Sequence, residues 1–157
     1  MTSASIITVK LLNESARLPE RAYDGDAAFD LYSAEAATLT PQSRAVVGTG
    51  IAIGLSAGMA ALTLPRSGLA ARHGIALVNA PGLIDPGYRG EIRLILLNTD
   101  KCETFEVKIG DRIGQLLIVG LPDVALRQVV ELERTERGER GFGSSGGFGS
   151  SNIGEQP

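Results

Sequence analysis

Tryptophan is absent from this chain, histidine and cysteine occur once each, and aromatic residues make up only 4% of it. Each shortage excludes something. A single cysteine, Cys102, cannot close a disulfide within the chain, which fits a reducing compartment. One histidine, His73, and one cysteine do not supply a His/Cys zinc site within one chain. With so few rings the core must be built from Val, Ile, Leu and Ala, for which 43% hydrophobic content over 157 residues suffices in one domain. Positive charge is not in excess either. A net charge of −3 and a pI of about 5.2 argue against nucleic-acid binding by a basic surface. A small anion held by a few local arginines stays open. Residues 1–12 carry Lys10 inside an apolar run and show no signal-peptide pattern, so a cytoplasmic location is expected. Residues 45–65 have no charge and are nominally long enough to cross a bilayer. Gly48, Gly50, Gly54 and Gly58 interrupt them, and large and small side chains alternate. Period two with glycine breaks predicts strands and a turn, so no membrane partner is expected.

What the chain does have is many short apolar runs at regular spacing, which predict an all-β sandwich or barrel. Residues 6–12 and 29–33 read as strands. Residues 46–55 and 59–64 read as a hairpin around Ser56-Ala57-Gly58, and 68–72 as a short helix. Runs 75–78 and 92–97 flank a tight turn. Runs 105–109 and 112–119 are joined by Gly110-Asp111, a hairpin-type dipeptide. Residues 124–132 read as a last strand with some helical character. From Glu133 the composition changes. Glu and Arg alternate up to Arg140, and a Gly/Ser-rich stretch follows in which Gly-Phe-Gly-Ser-Ser occurs twice. Such a tail cannot bury enough apolar surface to fold alone. The expected organisation is a β domain over 1–136 and a flexible arm over 137–157.

Several stretches carry residues that a fold alone does not demand. The turn at 82–92 needs its glycines and proline for its backbone. It does not need an acid, Asp85, and a ring, Tyr88, held rigidly between strands. The plain alternative is a turn former and a gap filler. Pro65-Arg66-Ser67-Gly68 opens the short helix, where free N–H groups, the dipole and Arg66 favour an anion. Ser67 as an ordinary N-cap is the alternative. Gln115 lies in an otherwise apolar run, so its amide needs a partner, either a ligand or backbone. By period two, Arg112 and Gln115 fall on opposite faces. Asp30, inside the strand 29–33, must be paired, solvated or turned toward a metal. In the tail, Arg137, Arg140, Phe142, Ser144 and Ser145 suit phosphate and a base face, against the alternative of a low-complexity linker. His73 reads as a surface or interface residue, and Cys102 as an inert loop residue.

Their order is more specific than any one of them. Five stretches together resemble the five motifs of homotrimeric dUTPases: Ala28-Phe29-Asp30-Leu31-Tyr32-Ser33-Ala34; Pro65-Arg66-Ser67-Gly68-Leu69-Ala70; the stretch from Asn79 to Ile92; Gly110-Asp111-Arg112-Ile113-Gly114-Gln115-Leu116; and Arg137-Gly138 with Gly141-Phe142-Gly143-Ser144-Ser145-Gly146. The resemblance implies a β jelly-roll trimer whose active sites lie between subunits. It implies hydrolysis of dUTP to dUMP and pyrophosphate with Mg²⁺, limiting uracil in DNA and supplying dUMP for dTMP synthesis. Carried over by position, Asp85 orients and deprotonates the attacking water. Tyr88 packs under the deoxyribose and leaves no room for a 2′-hydroxyl. Asn79 helps to read uracil alongside backbone groups of the same stretch, with Gly82 and Ile84 among the substrate contacts. Arg66, Ser67, Gly68 and Gln115 contact phosphates. Asp30 holds magnesium-bound waters. Arg137 meets the γ-phosphate, Phe142 covers the uracil, Ser144 and Ser145 offer hydroxyls to the phosphates, and Gly143 stands with them among the substrate contacts of the tail that closes over the nucleotide.

Three positions depart from the pattern. Ala28 and Arg140 stand where the family usually has glycine, and Gly114 where alanine is usual. Phe142, not Phe148, has the family's spacing from Arg137. Two other readings share the fold. In dCTP deaminases a catalytic glutamate lies in the strand after the turn, where this chain has Ile95. A catalytically inert nucleotide-binding trimer is the other, and intact Asp85 and Tyr88 argue against it.

Overall fold

The computed structural model describes residues 6–139. It carries eleven strands and one short helix among these residues, as the all-β expectation requires. In chain order they are β1 (Thr8–Leu11), β2 (Phe29–Tyr32), β3 (Ala37–Leu39), β4 (Arg44–Gly48), β5 (Ile51–Gly54), β6 (Met59–Leu64), α1 (Ser67–His73), β7 (Ile75–Leu77), β8 (Gly82–Ile84), β9 (Arg93–Asn98), β10 (Phe105–Val107) and β11 (Arg112–Gly120). Every pairing is antiparallel. The sheets run β2-β11-β6-β8 and β4-β9-β7, with two-stranded pairs β1-β5 and β10-β3. The chain divides into two units, one ending at Asp123 and one starting at Val124.

The two larger sheets sandwich an aliphatic core. Leu31 and Leu116 come from the first sheet, and Val47, Ile75, Leu94 and Leu96 from the second, all nearly inaccessible. Burying each such side chain contributes roughly 1.5–3 kcal/mol. The two phenylalanines among the described residues, Phe29 and Phe105, pack only at the margin. Gly114 of β11 lies against Leu94, and a Cβ there would stand 2.5 Å from Leu94 Cδ1. The leucine fills the space that an alanine at 114 would occupy.

Several expected pairings are corrected. Residues 46–55 are not one strand. They bend at Gly50, whose φ of +67° favours glycine and whose Cβ would lie 2.8 Å from the Cβ atoms of Ala16 and Ala34. The bend sends β4 to β9 and β5 to β1, so β5 and β6 form no hairpin. Gly110-Asp111 does turn the chain, with Asp111 N–H donating to Lys108 O at 3.0 Å. The turn is also tied to the end of β2, through Gly110 N–H to Ser33 O and Ser33 N–H to Asp111 O, both 2.8 Å. Accordingly β10 pairs with β3, a strand the sequence reading missed, and β11 pairs with β2 and β6. Runs β7 and β9 do pair directly, but the stretch between them is not a simple tight turn. It begins with β8, which leaves to join β6. Residues 124–132 contain no strand, and Val124, Leu126, Val130 and Leu132 are strongly exposed.

Candidate active site

The loop after β8 is built so that its side chains have little freedom. β8 is the last strand of its sheet, so it pairs with β6 along one edge only. Its other edge has no strand partner among the described residues, and such an edge presents main-chain N–H and C=O groups. Residues Gly82, Leu83 and Ile84, followed by Asp85, line a cavity of about 240 Å³ with Thr63, Asn79, Tyr88, Glu91, Ile92 and Arg93. The turn at its mouth is closed by Tyr88 N–H donating to Asp85 O at 3.1 Å. Tyr88 Oη donates to Glu91 O at 3.0 Å. Arg89 Nη1 donates to the carbonyls of Pro86 and Tyr88, at 2.6 and 2.8 Å. Asp85 itself is exposed. Gly82 passes between Thr63 Oγ1 and Asn79 Nδ2, where a Cβ would clash with the first and lie 3.1 Å from the second. Five expected residues, Asn79, Gly82, Ile84, Asp85 and Tyr88, therefore meet in one cavity.

A second group forms around Asp30. This carboxylate is only 4% exposed and accepts from Arg66 Nε and Arg112 Nη1, each at 3.1 Å. Gln115 stands directly opposite Asp30 in the β11–β2 ladder. The ladder shifts register between Arg112 and Gly114, with Arg112 opposite Tyr32 and Gly114 opposite Leu31. That β-bulge overturns the expected alternation. Tyr32 and Asp30 share a face of β2, so Arg112 and Gln115 share one too. Arg66 is the N-cap residue of α1, so Ser67 is the first helical residue and not the cap, and no side chain caps the helix start. Ser67 and Gly68 are exposed beside Arg66. A cavity of about 350 Å³ beside this group is lined by Arg66, Leu69, His73, Phe105, Glu106, Asp111, Arg112 and Ile113. His73 is exposed, with its ring centroid 5.1 Å from that of Phe105.

The two groups lie on opposite sides of one sheet. Asp30, Gln115 and Leu64 form one row across it, and Thr63, next to Leu64, faces the other way into the cavity of Asp85. The two cavities share no lining residue. Arg137 belongs to the second unit. Phe142, Gly143, Ser144 and Ser145, with Arg140 and Phe148, lie outside the described residues. Sequence reasoning missed Thr63, Glu91 and Arg93 as cavity residues. Glu91 stands in the same stretch as Asp85 and Tyr88, and Arg93 opens β9 just after it, which was the available signal. Thr63 has no such marker, because only pairing with Gly82 brings it there.

The dUTPase family model matches residues 14–146 of this chain. The chain belongs to the dUTPase family. The deoxyuridine 5′-triphosphate nucleotidohydrolase of Tropheryma whipplei (strain Twist) is 49% identical over 140 residues, covering 89% of this chain and 96% of that one. A Staphylococcus bacteriophage 80alpha dUTPase solved with dUPNHPP superposes with a TM-score of 0.85 at 34% identity, covering 91% of this chain and 99% of that one. A mutant dUTPase of phage phi11 of S. aureus, whose structure concerns the coordination of a structural Mg(II) ion, superposes with a TM-score of 0.77 at 30% identity and covers 83% of this chain and 100% of that one. The jelly-roll dUTPase fold expected from the motifs is therefore the fold of this chain. No helix among the described residues is long and apolar enough to cross a membrane.

Proposed function

We propose that this chain hydrolyses dUTP to dUMP and pyrophosphate, which limits uracil in DNA and supplies dUMP for dTMP synthesis. The observation that carries this is one cavity lined at once by an exposed carboxylate, a ring, an amide and a free strand edge: Asp85, Tyr88, Asn79 and residues Gly82–Ile84 of β8. A pyrimidine can read unpaired main-chain donors and acceptors on such an edge, with Asn79 adding side-chain groups. Tyr88 packs under the sugar. Asp85 takes a proton from water as the water oxygen bonds to the α-phosphorus and the bond to the β-phosphate oxygen breaks. Pyrophosphate leaves with the electron pair. Positioning and charge neutralisation do most of the work in such a transfer. Arg66, Ser67, Gly68 and Gln115 receive the phosphates, and Arg137 the γ-phosphate. Phe142, Gly143, Ser144 and Ser145 complete the cover over the bound nucleotide.

Magnesium, when bound, offsets the charge of the phosphates. The donor set fits an ion carried by substrate and not a protein cage. Among the described residues no three His, Cys, Asp or Glu side chains converge. Asp30 gives one oxygen to each arginine, and each oxygen keeps a further acceptor site for a magnesium-bound water.

The same reading makes the active unit a homotrimer with sites between subunits. Two half-sites on opposite faces of one sheet cannot hold one nucleotide within a single chain, so a second copy must bring the other half. The exposed alternating Val124, Leu126, Val130 and Leu132 also call for a covering partner copy. Pyrophosphate release from dUTP, against ammonia release from dCTP, tests the proposal. Ammonia would favour a deaminase, although Ile95 in β9, opposite Val46, supplies no acid. Tight nucleotide binding with neither product would favour an inert trimer.

A further inference from the structure

Tyr88 is seated on its neighbours in a way that the reaction itself does not demand. Its ring folds back over Gly90. A Cβ on Gly90 would lie 2.6 Å from Tyr88 Cζ and 3.0 Å from Cε2, and closer still to the hydroxyl oxygen. The hydroxyl is tied to Glu91 O at 3.0 Å. Glu91 is itself fixed. Its Oε1 accepts from Gly50 N–H at 2.9 Å, and its Oε2 lies 3.4 Å from Arg93 Nη1. Arg93 Nη2 pairs with Glu35 Oε1 at 3.1 Å and donates to Val46 O at 3.3 Å. Glu35 in turn accepts from Gly48 N–H at 2.5 Å. The ring thus rests on a bare Cα and hangs from a main chain that is pinned to the β4–β5 bend.

We propose that Gly90 and Glu91 are specificity-determining positioning residues, which set the height of the Tyr88 ring and thereby the choice between 2′-deoxyribo- and ribonucleoside triphosphates. This rests on the reading of Tyr88 as the ring under the sugar. The three atoms nearest to a methyl at position 90 all belong to the far end of the Tyr88 side chain, so the ring gives way while the fold stays. A ring pushed off this seat no longer closes the space beside the sugar's 2′ carbon, which narrows the preference for dUTP over UTP.

The test is pyrophosphate release from dUTP and from UTP by full-length wild type, Gly90→Ala, Glu91→Ala and Glu91→Gln. Circular dichroism and oligomer mass are recorded for each. Gly90→Ala is expected to lower the dUTP-to-UTP ratio of kcat/KM by about tenfold or more, since one small contact in a pocket is worth roughly 10–200-fold in discrimination. Glu91→Ala should lower the ratio as well. Glu91→Gln should largely restore it, because the amide oxygen still accepts from Gly50 N–H. A merely structural loss reduces both substrates alike and leaves the ratio unmoved. An unchanged ratio in folded Gly90→Ala overturns the inference while leaving dUTP hydrolysis standing. A wild type that does not hydrolyse dUTP, or does not prefer it over UTP, overturns the underlying reading and this inference with it. If Gly90→Ala does not fold, Tyr88→Phe decides. That change removes only the hydroxyl tie to Glu91, and an unchanged ratio there also overturns the inference.

Discussion

Asp85 follows a three-residue edge strand and stands at a turn closed by its own carbonyl. Its main chain is fixed while its side chain stays open to water. Asp85→Asn keeps the shape and removes the proton acceptor. The expected result is a fall in kcat of about 10²–10⁴-fold, the usual worth of a positioned base, with nucleotide affinity retained in calorimetry. Turnover near wild type would refute the base role. These residues were legible in sequence because an acid and a ring in a turn have no structural necessity. Thr63 was not legible. A threonine in a strand looks like any β former, and only the β6–β8 register carries it to the cavity. Arg112 was misplaced for a related reason. Alternation holds along a regular strand, and one extra residue at the bulge turns every later side chain over.

At the scale of elements, the strands were legible and their partners were not. Apolar runs announce strands, but a bend such as that at Gly50 is encoded by one residue and reassigns two strands to different sheets. Packing between sheets gives a test. Gly114→Ala should destabilise the protein by about 1–3 kcal/mol in denaturant unfolding, as overpacking does, because its methyl meets Leu94. Adding Leu94→Ala to that variant should cost less than Leu94→Ala alone costs in wild type. Strict additivity would show that the two sites do not share that space. The loop from β9 to β10 gives a second. Asp100 Oδ1 accepts from Cys102 N–H at 2.8 Å and Glu103 N–H at 2.9 Å. These bonds hold its carboxyl below its ordinary value of 3.8, that of Cys102 contributing most. A lowered folded pKa means stability that is present above pH 3.8 and lost as pH falls toward the lowered value. Asp100→Ala should therefore lower the Tm at neutral pH, and the gap to wild type should close in acid. A gap that widens in acid would refute this.

Across the whole molecule, the cavity of Asp85 and the group around Asp30 lie on opposite sides of one sheet, and complementation tests whether two copies share a site. Asp85→Asn and Arg66→Ala should each be nearly inactive alone. On the proposed trimer with shared sites, a mixed assembly has some sites with Asp85 from one copy and Arg66 from another, so unfolding and refolding the two together should restore a substantial fraction of turnover. No recovery, with mixed trimers demonstrated by mass, would place the whole site within one chain. Removing residues 137–157 should leave oligomer mass and Tm near wild type, and cut turnover by about tenfold or more through loss of the cover over the nucleotide. Full activity after that removal would refute the role of the arm. Composition carries no trace of this proposed assembly, which is argued from the sheet face that each side chain occupies.

The free edge of β8 has a cost as well as a use. An unpaired row of main-chain groups is a template for a strand from any other chain, and proteins guard such edges with brevity, charge and proline. β8 is three residues long and is followed at once by Asp85 and Pro86. The acid proposed to aim the water would thus also repel strands that dock on this edge. Neutralising it leaves the edge less protected, so Asp85→Asn should show more concentration-dependent self-association without nucleotide, and saturating nucleotide should suppress it.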